Sequence, residues 1–240
     1  MSHLDINSGQ VVANASESER AGFIRRTYLH LAGAIGAFAI VETLLFKSGI
    51  AGQFAHMLSG SKWSWLIVLG VFAFVSHFAN KWAHSSISRE KQYLGLGAFI
   101  LAEAVIFMPL IFMAMRMTPD GQLLQNAGVV TVALVAGLTF TAFTSKVNFS
   151  FLGRGLAIGG FIAMGVIVAA MIFGFSLGTW FSGAMILFAA ASVLYSTSNI
   201  IHEYNTEQHV AAALSLFSSV GLLFWYILQF MMSFGGFGDD

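Results

Sequence analysis

The sequence predicts an all-α, polytopic membrane protein with seven transmembrane helices. Of its 240 residues, 57% are hydrophobic and 9% are charged, and the mean hydropathy is +0.79. Because about a quarter of the residues in a soluble domain are charged, this chain lacks the polar surface that a soluble globule needs. It also contains seven apolar segments of about 20 residues, the length that crosses a hydrocarbon layer of about 30 Å.

Composition also excludes several classes of function. Eleven Lys and Arg residues balance eleven Asp and Glu residues, so there is no basic excess to neutralise phosphates, and we expect no nucleic-acid binding. The chain has no cysteine, which excludes disulfides, thiolate nucleophiles and cysteine-ligated metals. We therefore expect no cofactor and no bound metal.

Three parts follow one another along the chain. Residues 1–22 are predicted to form a polar N-terminal tail without a cleavable signal peptide, residues 23–232 a single membrane domain, and residues 233–240 a short C-terminal tail. The loops between the apolar segments are too short to hold a soluble domain. The seven predicted spans cover roughly 25–46, 63–82, 94–115, 125–145, 153–175, 180–201 and 210–232.

The distribution of basic residues predicts the orientation of these spans. Seven spans place the two termini on opposite sides of the membrane. The side of the N-terminus carries eight Lys or Arg residues and the other side carries three, and basic residues concentrate in cytoplasmic loops. The N-terminus is thus predicted to be cytoplasmic and the C-terminus outside. The eight are Arg20, Arg25, Arg26, Lys81, Arg89, Lys91, Lys146 and Arg154; the three are Lys47, Lys62 and Arg116.

Glu103 stands near the middle of the third span. A charged carboxylate there costs about 2.5–3.5 kcal/mol on insertion scales, so Glu103 should face the bundle interior or stay protonated. Pro109 follows six residues later and should kink or unwind the helix, which frees a backbone carbonyl. The pair predicts either an oxygen-lined cation pathway or a hydrogen-bonded acid beside a packing kink. Glu42, close to the end of the first span, is expected to reach water.

Small polar residues line one face of each of the last two spans. Ser192, Ser196 and Asn199 recur at spacings of four and three, and Ser215 and Ser219 at a spacing of four, which places each set on one helix face. If the two faces meet, they form a polar seam. Such a seam either carries ions or only lets the two helices pack closely and hydrogen-bond.

Two stretches match enzyme motifs only by their letters. Residues 202–209 are not H-E-x-x-H, because Thr206 occupies the position of the second histidine, and a zinc pair at i, i+4 is lost. Residues 174–178 read G-x-S-x-G around Ser176, but this nucleophile motif needs a strand-to-helix elbow, and here it separates two apolar helices. We therefore predict that the protein is not an enzyme.

Motifs in five short stretches, in order along the seven spans, resemble a known family. Residues 23–28 read FIRRTY, 103–109 read EAVIFMP, and 144–153 read TSKVNFSFLG. Residues 194–196 (LYS) and 213–217 (ALSLF) lie in the last two spans. Together they resemble the Bax inhibitor-1 family, the transmembrane Bax-inhibitor-motif proteins, including its bacterial members.

The resemblance implies a bundle in which six helices surround a central seventh, and an activity as a pH-sensitive calcium leak. In bacterial members with that activity, two aspartates in the last two helices bind a proton or calcium and latch the pore. The matching positions here are Ser196 and Ser219. In the loop motif Lys146 is kept, while the loop aspartate is Asn148. The titrating latch is therefore expected to be missing, although Glu103 remains.

Two functions are compatible with these residues. The first is a calcium or proton leak pathway that lacks the di-aspartate latch. The second is a non-transporting accessory subunit, which would bind a larger membrane protein complex or a membrane AAA protease, as some bacterial relatives do. In either case the lipid bilayer surrounds the protein, and the resemblance favours the bacterial inner membrane.

Overall fold

The computed structural model describes residues 10–85, 88–145 and 147–235. The described residues form α-helices joined by short turns, with no β-strand among them. The seven predicted spans are confirmed as long apolar helices, and a shorter helix, α2, joins the first two. The helices are α1 (Glu17–Lys47), α2 (Ile50–Ser59), α3 (Lys62–Ala83), α4 (Arg89–Met117), α5 (Gln122–Thr144), α6 (Leu152–Phe173), α7 (Gly178–His202) and α8 (His209–Gly235).

Local sequence signals set the helix ends. Ser16 and Glu19 form a capping box, in which the Ser16 side chain accepts from the Glu19 amide and Glu19 Oε2 accepts from the Ser16 amide at 3.1 Å. Ser88 caps the start of α4, where its side chain accepts from the Lys91 amide at 3.4 Å. Gly121 precedes α5 with φ 74° and Gly174 ends α6 with φ 76°, a backbone conformation that glycine adopts without steric cost.

The interior of the bundle is built mainly by α8 and α4. These two spans are the most buried, and α8 contacts α1, α3, α4, α5 and α7. The first turns of α8, from Val210 to Leu214, are completely or almost completely enclosed. α8 is therefore the most central helix, whereas the complete ring of six helices around it stays a prediction.

The outer surface of the bundle is apolar. Phe161 and Phe173 on α6 are 82% and 79% exposed, and Trp180 at the start of α7 is 94% exposed. Large apolar side chains on this scale would aggregate in water. They are instead what a surface in contact with lipid requires, so the protein is an integral membrane protein.

Residues 10–15 pack against the loop between α7 and α8. The Val12 amide donates to the Tyr204 carbonyl at 3.0 Å, the Thr206 amide donates to the Gln10 carbonyl at 3.2 Å, and the Val12 side chain is fully buried. Desolvation in this packed loop raises the pKa of the Tyr204 phenol above its usual value. The start of the described chain and the last helix–helix loop therefore form one unit.

Two arginines hold the same loop from the other helices. Arg89, at the start of α4, forms an ion pair with Glu207 and donates to the Glu207 carbonyl at 3.0 Å. Arg26 on α1 donates to the Thr206 carbonyl at 3.3 Å. The entry to α8 is thus fixed by contacts with α1 and α4.

Candidate functional site

Three of the predicted seam residues meet at the contact between α7 and α8. The Ser196 and Ser219 hydroxyl oxygens are 2.9 Å apart, Ser215 donates to Ser196 at 3.2 Å, and Ser219 donates to the Ser215 carbonyl at 3.0 Å. Because Ser219 uses its proton on that carbonyl, Ser196 must be the donor in the Ser196–Ser219 bond. Each hydroxyl proton is therefore used within the cluster, which is neutral.

The other two seam residues bond elsewhere. Ser192 donates to the Phe188 carbonyl of its own helix at 3.0 Å. Asn199 turns towards the loop between α5 and α6, where its Oδ1 accepts from the Ser150 hydroxyl at 2.9 Å. Ser192, Ser196, Ser215 and Ser219 nevertheless line one cavity of about 350 Å³, to which residues of α3 and α6 also contribute. The cavity is large enough for ordered water.

Asn148 has a structural role in the family-type loop. Its Oδ1 accepts from the Ser150 amide at 2.9 Å and from the Ser198 hydroxyl at 3.2 Å, and Ser198 in turn accepts from the Phe149 amide at 2.9 Å. These bonds fasten the loop before α6 to the side of α7. Lys146, the other predicted residue of this loop, lies outside the described residues.

Glu103 is buried in the bundle against α8. Its side chain is 5% exposed, and a Cβ atom built on Gly221 would lie 2.7 Å from Glu103 Oε2. Gly221 therefore makes room for the acid, a role that the sequence did not indicate.

Glu42 joins Glu103 at a second cavity, and the expectation that Glu42 reaches water is wrong. Its side chain is 6% exposed, and neither carboxyl oxygen has a hydrogen-bond partner among the described residues. Both acids line a cavity of about 600 Å³ between α1, α4, α5 and α8. This acidic cavity shares no lining residue with the serine-lined cavity.

Pro109 does not interrupt α4. The helix is continuous from Arg89 to Met117, so of the two expected effects, unwinding is wrong. The proline still removes the backbone donor for the carbonyl four residues earlier, that of Val105.

Among the described residues no group of three His, Asp or Glu side chains could hold a metal ion. The acidic cavity therefore offers two carboxyl groups, which can exchange protons, and no three-residue metal cluster among the described residues.

The two histidines of residues 202–209 lie on different helices. His202 ends α7 and lies 2.9 Å from the Ser198 carbonyl through Nδ1, while His209 begins α8. The centroid of the His209 ring lies 4.9 Å from that of the His30 ring on α1, and His30 Nε2 is 3.0 Å from the Tyr93 hydroxyl oxygen.

Ser176 is exposed in a turn between two helices, which is not the strand-to-helix elbow of a hydrolase.

The close approach of Gly221 to Glu103 can be tested by Gly221→Ala. We expect the added methyl group to push the carboxyl aside and to lower stability by about 1–3 kcal/mol, the usual cost of overpacking. Thermal unfolding in detergent measures this, and Gly183→Ala is the control because its Cβ would make an ordinary contact of 3.6 Å. Shortening the acid by Glu103→Ala should largely remove the effect of Gly221→Ala. Equal effects with and without Glu103 would contradict the contact.

Comparison with known proteins supports one family. The family described as "Inhibitor of apoptosis-promoting Bax1" matches residues 20–236. Protein lifeguard 4 of Mus musculus is 26% identical over 95% of this chain and 91% of its own length, and Protein LIFEGUARD 4 of Arabidopsis thaliana is 29% identical over 87% and 83%. An uncharacterized protein of Campylobacter jejuni is 24% identical over 96% of both chains. No solved structure matches. Because the family match spans all seven transmembrane helices, this chain belongs to the Bax inhibitor-1 family.

Proposed function

We propose that this protein provides a cation leak pathway through the membrane, with Glu103 as the group that the ion passes. The observation that supports it is the burial of Glu42 and Glu103 in one cavity, where neither carboxyl oxygen of Glu42 has a hydrogen-bond partner among the described residues. Unpaired acids inside a membrane protein are costly, so they are retained for function more often than for packing.

Protons are the favoured ion. Calcium takes six to eight oxygen ligands, whereas the acidic cavity supplies two carboxyl groups and no three-residue cluster exists among the described residues. A proton binds to a single carboxylate oxygen, so two carboxyl groups are enough to transfer it. A calcium ion would have to keep most of its water shell in a cavity whose lining is almost entirely apolar.

The serine cluster changes how such a pathway is gated. Where the family pattern has two aspartates, Ser196 and Ser219 form a neutral hydrogen bond. Hydroxyls of this kind do not titrate between pH 5 and pH 8, so the aspartate latch has no equivalent here. We infer a leak whose rate is set by the acidic cavity rather than by α7 and α8.

The basic residues further support a cytoplasmic N-terminus and an outside C-terminus. The relatives of Neisseria, Pseudomonas and Campylobacter support a location in the inner membrane of a bacterium.

Flux into liposomes tests the leak. We expect vesicles that contain the purified protein to dissipate an imposed pH gradient faster than protein-free vesicles, as followed with an enclosed pH-sensitive dye. The same vesicles with a calcium indicator test the second ion. Flux equal to that of protein-free vesicles for both ions would overturn the proposal.

The serine cluster also favours a second candidate, a non-transporting accessory subunit. All three hydroxyl protons are used within the cluster, two of them in bonds between α7 and α8 and one in a bond within α8, as expected if this seam serves only packing. A subunit of a membrane complex or of a membrane AAA protease should co-purify with its partner from native membranes in mild detergent. Isolation as a single species without any partner would count against this candidate.

A further inference from the structure

The acidic cavity is a cleft that opens towards the bilayer. Its walls are α1 and α5, and its floor is α4 and α8. Ile35 on one wall and Val132 on the other are 43% and 68% exposed, so the rim faces lipid. Outside the cleft, the ring centroids of Tyr28 on α1 and Phe143 on α5 lie 6.2 Å apart, so the helices that form the two walls are in contact there. A molecule dissolved in the membrane could therefore enter sideways between α1 and α5.

The size and lining of the cleft suit an amphiphile. Its volume of about 600 Å³ falls within the range of about 300–1,000 Å³ that is typical of small-molecule sites. The walls are apolar apart from two acids, Glu42 and Glu103, two threonines and Lys47 at the rim. The hydroxyls of Thr43 and Thr131 donate to carbonyls of their own helices, and both carboxyl oxygens of Glu42 stay without a hydrogen-bond partner among the described residues.

We propose that this cleft binds a single-chain lipid-like amine, with its ammonium group between Glu42 and Glu103 and its chain along the apolar walls. An ammonium group carries three hydrogen-bond donors and a positive charge. It would supply the partner that Glu42 lacks among the described residues, and it would pair with the buried carboxyl group of Glu103. Charge-assisted bonds of this kind are about twice as strong as neutral ones. The inference does not depend on the leak, because binding requires no passage through the membrane.

Photo-crosslinking tests the proposal with a defined probe. The protein is placed in nanodiscs of zwitterionic lipid with a diazirine-bearing analogue of dodecylamine, illuminated, and digested for mass spectrometry. We expect labels on α1, α5 and α8 at residues that line the cleft. Excess dodecylamine should abolish labelling, whereas dodecanol and dodecanoate, which share the chain length, should compete at least about tenfold more weakly. Equal competition by the alcohol or stronger competition by the anion would overturn the proposal.

Two kinds of variant test separately whether binding needs the two acids and whether it needs the space in the cleft. Glu42→Gln and Glu103→Gln should each weaken dodecylamine competition by about tenfold. Gly128 lines the cleft and a Cβ there meets nothing within 4 Å, so Gly128→Leu should fill the space and abolish labelling without disturbing either acid. Gly137→Leu is the matched control, since Gly137 lies on the same helix in open space outside the cleft.

The two glycine variants test the binding site even if one of the acid variants misfolds. Gly128→Leu and Gly137→Leu are expected to elute alike from a size-exclusion column, and only the first should lose labelling. Labelling that survives in Gly128→Leu, or that is lost equally in Gly137→Leu, would refute the cleft as the binding site. Proton flux measured in the same variants distinguishes failure of this inference from failure of the proposed leak.

Discussion

Gly95→Ala is expected to be the most damaging single substitution of a small residue in the bundle. A Cβ atom at position 95 on α4 would lie 2.5 Å from the Ala79 carbonyl oxygen and 2.6 Å from the Ala83 amide nitrogen of α3. These are backbone atoms of a helix and cannot rotate away. The two helices must therefore separate, and we expect a loss of about 3 kcal/mol or more, at the upper end of overpacking costs.

Thermal unfolding in detergent, read by size-exclusion chromatography after heating, measures this effect. A loss of about 3 kcal/mol corresponds to a decrease in Tm of about 6–12 °C for a chain of this size. Gly97→Ala is the matched control, because it lies on the same helix and its Cβ meets nothing within 4 Å. The control should be neutral or slightly stabilising. Equal Tm values for the two variants would contradict the close packing of α3 on α4.

The double substitution Ser196→Asp/Ser219→Asp is expected to introduce a pH-dependent separation of α7 and α8. The two hydroxyl oxygens are now 2.9 Å apart and both side chains are buried. Two carboxyl groups at that distance can share a proton, but they repel each other when both are ionised. The variant should therefore be stable at low pH, and lose stability and leak faster as the pH rises.

Tm and proton flux measured between pH 5 and pH 8 test this prediction. The control is Ser196→Asn/Ser219→Asn, which adds the same number of heavy atoms without a titrating group. We expect the aspartate variant to lose at least about 5 °C of Tm relative to the asparagine variant across this range, which is roughly 1.5 kcal/mol. Parallel pH profiles for the two variants would show that the positions are not close enough to act as a latch.

The seven spans could be predicted because length and hydropathy alone determine them. A helix that crosses a bilayer needs about 20 apolar residues, and no other element satisfies its backbone there. The helix α2 (Ile50–Ser59) was missed because its ten residues are too few to cross a bilayer, so length and hydropathy do not single it out as a span. The packing of residues 10–15 on Tyr204 was also missed, since it joins residues almost two hundred positions apart.

In the candidate site, too, features set by nearby residues could be predicted, whereas features set by the packing of distant helices could not. The contact of Ser196 with Ser219 could be anticipated, because helical spacing places each on a polar stripe and a short loop brings α7 beside α8. The burial of Glu42 could not. α1 is apolar on most sides, so its sequence does not show which face meets α4 and α8. The space that Gly221 leaves for Glu103 depends in the same way on how two distant helices pack.

Proton flux through Glu103→Gln liposomes tests the proposed function most directly. Glutamine keeps the size of the side chain but cannot exchange a proton, so the flux should fall by about tenfold or more, equivalent to at least about 1.4 kcal/mol in the barrier. Glu90→Gln, an exposed acid in the first turn of the same helix, should leave the flux unchanged. If Glu103→Gln has the same Tm and the same flux as the wild-type protein, Glu103 does not carry the ion and the proposed leak pathway is refuted.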